Sequence, residues 1–320
     1  MSTSRFGKNV PKGVYAPVLT FFERNADQDL DLETYKKHVE FVAAAGVGIV
    51  CLGSMGEAVQ LTHDERNLVV EAARSALDSN ADLAKVPLIV GTGASSTRET
   101  IELTREAAER GADFAMVIAP GYFAGALNKV ALKTYFCEVA DNSPIPVILY
   151  NYPGVTGGID MDSDLVAEIA NASPNIVGIK LTCGSVGKLT RLTGLRSDFA
   201  VLGGFVDFLG PSLLANAAGG ITGTANVAPR ACLELYNLTQ SGISGNAADL
   251  ASAARLQTVV SNADWALQKV GISGTKYALE QVKGYGGEPR RPILPYAGDG
   301  DALMQSLREI LSVEEGLSSR

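Results

Sequence analysis

Short apolar runs rich in β-branched residues alternate along the chain with longer segments in which apolar residues recur at helical spacing. The runs are apolar on both faces, which is typical of strands in a parallel sheet covered by helices. Helix starts are marked by Asp31 and by possible capping boxes at Thr62–Glu65 and Ser96–Glu99. The runs predict eight strands, at residues 14–22, 48–53, 87–93, 114–120, 145–151, 176–182, 199–204 and 219–225.

Eight successive strand–helix units are the number that a closed (β/α)8 barrel requires. We therefore expect an α/β fold, with a TIM barrel that carries the active site in residues 1–227. A doubly wound open sheet is less favoured, because the glycine-bearing stretch at 91–97 lacks the GxGxxG pattern and follows the third strand. Helical patterns predict a C-terminal helical extension in residues 228–320, with helices near 228–241, 246–269, 273–284 and 299–312.

Composition excludes several classes of partner. The chain has 320 residues and a net charge of −8, and it has no basic cluster with interleaved aromatic residues, so we expect no nucleic-acid partner. Its apolar runs are short, which predicts no membrane span, and the N-terminal stretch at 1–13 lacks the apolar segment of a signal peptide. Four cysteines without a CxxC pair indicate reduced thiols and a cytoplasmic protein.

One lysine interrupts the apolar run at 175–184. Alternation along the strand places Ile176, Gly178, Lys180 and Thr182 on one face and three aliphatic residues on the other. The first face suits the barrel interior, with Lys180 near its C-terminal end, where barrel enzymes hold their catalytic groups. A desolvated lysine has a lowered pKa and can form Schiff bases with carbonyl compounds. The pattern alone leaves open a structural lysine whose ammonium reaches water.

Two further stretches carry candidate chemistry. Tyr150 lies near the end of the fifth strand and could relay protons beside Lys180, although a packed aromatic with a satisfied hydroxyl gives the same pattern. The second strand ends in the stretch 53–57, Gly-Ser-Met-Gly-Glu, whose backbone N–H groups could hold a carboxylate. An ordinary turn is the alternative there. Two histidines in the whole chain argue against a histidine metal site and against a Ser-His-Asp triad.

Three motifs in the same order and spacing resemble those of the dihydrodipicolinate synthase/N-acetylneuraminate lyase family of pyruvate-type class I aldolases. They are residues 53–57, residues 150–153 with Thr156 and Gly157, and Gly178-Ile179-Lys180. The resemblance covers nearly the whole chain, including the barrel and its helical tail. It implies a carbon–carbon lyase that needs neither metal nor organic cofactor.

The resemblance also implies roles for individual residues. Lys180 would form the Schiff base with a 2-oxo acid, and Tyr150 would shuttle protons. Ser54 would link that tyrosine to a second one, Tyr122, which a neighbouring subunit would supply. This last role implies a homodimer or homotetramer.

The substrate-binding residues that the resemblance implies surround the same lysine. The loop at Gly53, Ser54 and Met55 would hold the pyruvate carboxylate, with Met55 acting through its backbone. Ile221, on the eighth strand, would place its carbonyl near Lys180. Gly204 and Val155 complete the implied set of substrate-binding residues.

The second substrate is indicated by a departure from the family pattern. Dihydrodipicolinate synthases usually place an arginine one or two residues after the YNxP motif, where this chain has Gly154 and Val155. A neutral side chain cannot pair with a second carboxylate. The stretch 150–158 is similar to fungal-type 2-keto-3-deoxy sugar-acid aldolases such as L-threo-3-deoxy-hexulosonate aldolase, which release pyruvate and a neutral aldehyde. Dihydrodipicolinate synthase, 4-hydroxy-2-oxoglutarate aldolase and a catalytically silent 2-oxo-acid sensor are the alternatives.

Overall fold

A computed structural model describes residues 4–318, so residues 1–3 of the N-terminal stretch and the last two residues of the chain lie outside it. Eight parallel strands pair in chain order, and β1 pairs with β8 to close the barrel. The α/β fold and the (β/α)8 barrel with a C-terminal helical extension are therefore confirmed. The strands are β1 Gly13–Pro17, β2 Gly48–Cys51, β3 Leu88–Gly91, β4 Phe114–Ile118, β5 Val147–Asn151, β6 Ile176–Leu181, β7 Ala200–Gly203 and β8 Gly219–Ile221.

Helices follow the strands and pack around the barrel, with a continuous apolar layer between the strands and the helices. A second, smaller apolar cluster fills the barrel interior. The helices are α1 Leu32–Ala44, α2 His63–Asp78, α3 Thr97–Glu109, α4 Lys129–Asn142, α5 Ser163–Ala172, α6 Val186–Thr193, α7 Leu209–Leu214, α8 Pro229–Ile243, α9 Ala247–Lys283 and α10 Gly300–Ser318.

The predicted helix starts are found with one difference. The Asp31 side chain accepts from the backbone N–H of Thr34, and Thr62 forms a complete capping box with Glu65. At the start of α3 only half of the box is present. Ser96 accepts from the backbone N–H of Glu99. The Glu99 side chain instead contacts the imidazole ring of His63 on the neighbouring helix α2.

Three details of the predicted strands are wrong. The eighth strand ends at Ile221 instead of residue 225, because Gly223–Asn226 form a turn of 3-10 helix. The first strand ends at Pro17 instead of Phe22, since the following residues leave the barrel and Phe22 pairs antiparallel with Leu30. On β6 the predicted faces are exchanged at the strand's start. Ile176 lies in the outer apolar layer and Val177 in the barrel interior. The cause is a register shift in which Val147 pairs with Ile176 while the next residue of β5 pairs with Gly178.

The helical tail packs against the barrel. Helix α8 contacts both β1 and α9, and the division of the chain at residue 227 stays a prediction. Helix α9 is interrupted at Gly271, whose φ of +59° is a left-handed conformation that glycine adopts without strain. No helix within residues 4–318 is long and apolar enough to cross a bilayer.

Candidate active site

A cavity of about 360 Å³ opens at the C-terminal ends of the strands, where barrel enzymes carry their catalytic groups. Lys180 on β6 and Tyr150 on β5 are register partners in adjacent strands, and both line this cavity. Four other predicted site residues line it with them, namely Ser54, Met55, Val155 and Gly204. The strand register therefore brings most of the predicted site together.

Lys180 is buried with only 4% of its surface exposed. Its Nζ atom lies 4.3 Å from the centroid of the Tyr150 ring. Burial lowers the pKa of Lys180 to about 7, because the charged ammonium loses its hydration. A substantial fraction of this side chain is therefore a neutral amine, and hence a nucleophile, near neutral pH.

The hydroxyl of Tyr150 lies among other hydroxyl groups. Burial raises the pKa of Tyr150, and the hydroxyls of Ser54 and Thr182 oppose that rise. Tyr150 is therefore a neutral phenol, which can accept a proton on one side while it donates one on the other. Thr182 lines the cavity with Tyr150, so its hydroxyl lies beside both the phenol and the space that a substrate would occupy.

The loop after β2 is shaped by its backbone and fixed by an ion pair. Glu57 has a left-handed φ of +53°, and its N–H donates to the Ser54 carbonyl at 3.1 Å. Its carboxylate pairs with Lys276 of α9 at 2.6 Å, both side chains being fully buried. The same carboxylate accepts from the backbone N–H of Arg290 at 2.8 Å. The helical tail thus holds the loop that carries Ser54 and Met55.

Three predicted site residues lie outside the cavity that holds Lys180. Ile221 belongs to the apolar interior of the barrel. Gly53 lines an adjoining cavity, which also includes Ser54 and Tyr150. Tyr122 lines that second cavity too, and 82% of its surface is exposed within this chain. The role of Tyr122 on another subunit stays a prediction.

The sequence interpretation missed the wall that the helical tail contributes. Asp264, Leu267, Gln268 and Thr275 of α9 line the cavity, and Thr224 after β8 lies with them. A signal was present, since Asp264 lies on the buried stripe of its helix, four residues after the buried Val260. A carboxylate on such a stripe is rarely buried without a partner.

Asp264 accepts three hydrogen bonds, of which the Thr222 hydroxyl makes the longest at 3.4 Å. The Thr224 hydroxyl donates to one carboxylate oxygen, and Gln268 Nε2 donates to the other at 2.9 Å. Burial raises the pKa of Asp264 to about 6, and the nearby charge of Asp207 adds to the rise.

In the part of the chain that the structure describes, no group of three or more histidine, cysteine or acidic side chains could hold a metal ion.

Comparison with known proteins extends these observations. The sequence model of the family described as "Dihydrodipicolinate synthetase family" matches residues 10–311. A protein from Emericella nidulans named "Probable 4-hydroxy-2-oxoglutarate aldolase, mitochondrial" is 43% identical, over 96% of this chain and 97% of its own. The "L-threo-3-deoxy-hexylosonate aldolase" of Hypocrea jecorina is 42% identical, over 97% of this chain and 99% of its own.

A solved structure shares the fold over nearly the whole of both chains. A prophage protein of the dihydrodipicolinic acid synthase family from E. coli K12, in complex with pyruvate, superposes with a TM-score of 0.78. It is 31% identical, and the match covers 96% of this chain and 98% of that one.

Proposed function

The chain belongs to the dihydrodipicolinate synthetase family, and we propose that it is a class I aldolase that cleaves a 2-keto-3-deoxy sugar acid to pyruvate and an aldehyde. One observation carries the proposal. Lys180 is buried at the carboxyl end of β6 beside Tyr150, with its pKa lowered to about 7. A lysine in that state is the nucleophile that Schiff-base catalysis requires.

The first half of the reaction forms the imine. The neutral amine of Lys180 attacks C2 of the 2-oxo acid, and the resulting carbinolamine loses water to give a protonated imine. Tyr150 relays the protons that these steps exchange, with Ser54 and Thr182 as its hydroxyl neighbours. The backbone and hydroxyl of the Ser54–Met55 loop hold the substrate carboxylate.

The second half breaks the carbon–carbon bond. Tyr150 accepts the proton of the C4 hydroxyl, directly or through the substrate carboxylate, and the C3–C4 bond breaks. Its electron pair passes into the protonated imine, which gives an enamine and releases the aldehyde. The enamine takes up a proton at C3, and water hydrolyses the new imine to pyruvate and free Lys180. The water lost in the first half is returned here, so the overall reaction consumes none.

The substrate class follows from charge. Among the residues that line the cavity, Lys180 is the only cation, and the positions after the YNxP motif are Gly154 and Val155. A second carboxylate would find no positive partner there. This disfavours dihydrodipicolinate synthase. It also favours a neutral aldehyde over glyoxylate, although the name of the Emericella nidulans relative keeps 4-hydroxy-2-oxoglutarate cleavage as the second candidate.

A substrate panel tests this assignment. We expect pyruvate release from at least one 2-keto-3-deoxy hexonate, measured by a coupled lactate dehydrogenase assay, with kcat/KM above that for 4-hydroxy-2-oxoglutarate. Robust condensation of pyruvate with aspartate semialdehyde would contradict the assignment. Binding of 2-oxo acids without turnover of any of these substrates would instead support the sensor hypothesis.

The rate of imine formation is expected to rise with pH through about 7 and then to level off. The pKa of Lys180 is lowered to about 7, so the neutral amine dominates above this pH and the ammonium below it. The rate of imine formation is measured by mixing the protein with pyruvate and reducing samples with borohydride after set times. A rate that still rises steeply above about pH 9, as for an ordinary lysine, would contradict the lowered pKa.

Replacing Tyr150 with phenylalanine is expected to lower kcat by about 10² to 10⁴, the range for loss of a general acid–base group. The ring that contacts Lys180 Nζ is retained, so the change removes only the hydroxyl. Tyr236→Phe, on α8 outside the cavity, is the matched control. A Tyr150→Phe variant with wild-type kcat would exclude Tyr150 from proton transfer.

Assembly and compartment stay predictions that we carry into this proposal. The exposed Tyr122 supports a homodimer or homotetramer in which a neighbour uses this side chain. Sedimentation of the purified protein tests the assembly, and a monomer at assay concentration would contradict it.

The sequence predicts a cytoplasmic protein, while the Emericella nidulans relative carries the word mitochondrial in its name. Imaging of the tagged full chain decides between the two.

A further inference from the structure

The wall that α9 contributes to the cavity is polar and acidic. Asp264 is 2% exposed, yet it lines the same cavity as Lys180. Its neighbours on this wall are Thr224 and Thr275, which carry hydroxyls, and Gln268, which carries an amide. The rest of the wall is apolar. A buried carboxylate at a cavity surface is costly unless hydrogen-bond donors satisfy it. The donors that lie beside Asp264 therefore decide what it can bind.

A second carboxylate adds negative charge behind this wall. Gln268 Nε2 reaches Asp207 Oδ2 at 3.5 Å while it donates to Asp264. Asp207 Oδ1 is buried and has no hydrogen-bond partner among residues 4–318. One amide therefore bridges two acidic side chains, and no cationic side chain lines the cavity near them. The wall attracts hydrogen-bond donors and repels anions.

Asp264 has spare capacity for a ligand. An ionised carboxylate offers about four lone-pair sites. The hydroxyls of Thr224 and Thr222 donate to one oxygen, Thr222 at 3.4 Å, and the Gln268 amide donates to the other. At most one site, on the oxygen that Gln268 contacts, is then left for a donor from the cavity. Across the same cavity, the Thr182 hydroxyl lies beside Tyr150.

We propose that Asp264, oriented by Thr224 and Gln268, accepts a hydrogen bond from a hydroxyl group of the substrate beyond the bond that breaks, and that it rejects substrates whose far end is a carboxylate. This inference rests on the proposed function, because Lys180 must hold C2 for the remaining carbons to extend toward α9. Asp264 touches the substrate but takes no part in bond breaking. It makes the tail helix the element that selects the aldehyde half of the substrate.

The test compares two substrates in one variant. Asp264→Asn keeps the size of the side chain and removes its charge. We expect kcat/KM for the 2-keto-3-deoxy hexonate to fall by about 10- to 100-fold, as for loss of a hydrogen bond to a charged group. The value for 4-hydroxy-2-oxoglutarate should stay constant or rise, so the ratio of the two reverses toward the dicarboxylate. An unchanged ratio would overturn the inference.

Two further variants keep the test decisive. Gln268→Leu leaves the carboxylate but removes the amide that orients it, and we expect a smaller change of the ratio in the same direction. This variant decides the question if Asp264→Asn does not fold, and an unchanged ratio in it would then overturn the inference. Glu309→Gln, an exposed position on α10, removes one negative charge far from the cavity and should leave the ratio at the wild-type value.

Trapping pyruvate on Lys180 with borohydride distinguishes failure of the proposed function from failure of this inference alone. A wild-type protein without the adduct overturns the proposed function and the inference with it. An adduct in wild type and in Asp264→Asn, together with an unchanged substrate ratio, overturns the inference alone. An adduct in both proteins with a reversed ratio supports both.

Discussion

Replacing Lys180 with methionine is expected to lower kcat/KM for the sugar acid by about 10⁴-fold or more, because loss of a covalent nucleophile removes the whole reaction path. Methionine fills a similar volume without a charge. The side chain it replaces is 4% exposed, so the variant should fold at least as stably as wild type. The measurement is the initial rate of pyruvate release as a function of substrate concentration, with the unfolding midpoint in urea recorded beside it.

Lys133→Met is the matched control for this loss. Lys133 lies on α4 in an exposed ion pair with Glu168, so its removal should change neither turnover nor the midpoint appreciably. Turnover by Lys180→Met within about tenfold of wild type would contradict the account, since it would show that the chemistry does not pass through this amine.

Replacing Lys276 with methionine is expected to destabilise the protein by about 3–5 kcal/mol, because it leaves the Glu57 carboxylate buried without its partner. The two side chains are fully buried and 2.6 Å apart. Burial raises the pKa of Glu57 and lowers that of Lys276, each against the attraction of the other. Urea unfolding measures the loss as a lower midpoint at constant slope.

The double variant Lys276→Met with Glu57→Gln is the control. It removes both charges, so much of the lost stability should return, while the glutamine oxygen can still accept from Arg290 N–H. A single variant as stable as wild type would show that the pair contributes nothing to the fold. The single variant should also raise KM for pyruvate in the condensation direction, since Glu57 ends the loop that carries Ser54 and Met55.

The barrel could be predicted because each strand carries a local signal. The runs that became β2 to β8 are apolar on both faces and separated by helical spacing, which is the pattern of a covered parallel sheet. The end of β1 was misplaced, because residues 18–22 are also buried and apolar. Burial alone does not distinguish a strand from a buried loop, and the difference at Phe22 is set by its pairing with Leu30.

The placement of Lys180 was predictable, but the start of its strand was not. Alternation from Lys180 backward predicted that Ile176 faces the interior, whereas the interior residue is Val177. The cause is a register shift between β5 and β6. Such a shift depends on how two strands pair, and a two-residue period read along one strand does not contain that information.

The acidic wall shows the main limit of the sequence interpretation. Asp264 is 40 residues from Thr224 and joins it only because α9 packs back over the barrel. Patterns within a helix predict that the helix forms and which stripe is buried. They do not predict which cavity the stripe faces. The sequence predicts only that the tail is a helical extension, whereas in the structure it forms a wall of the candidate active site.

The most direct test of the central claim is to incubate the wild-type protein with pyruvate, reduce it with borohydride, and map the modified peptide by mass spectrometry. We expect one pyruvyl adduct per chain, on Lys180 in the peptide that contains β6. A folded protein that gains no adduct, or gains it on another lysine, would contradict the claim that Lys180 is the catalytic amine.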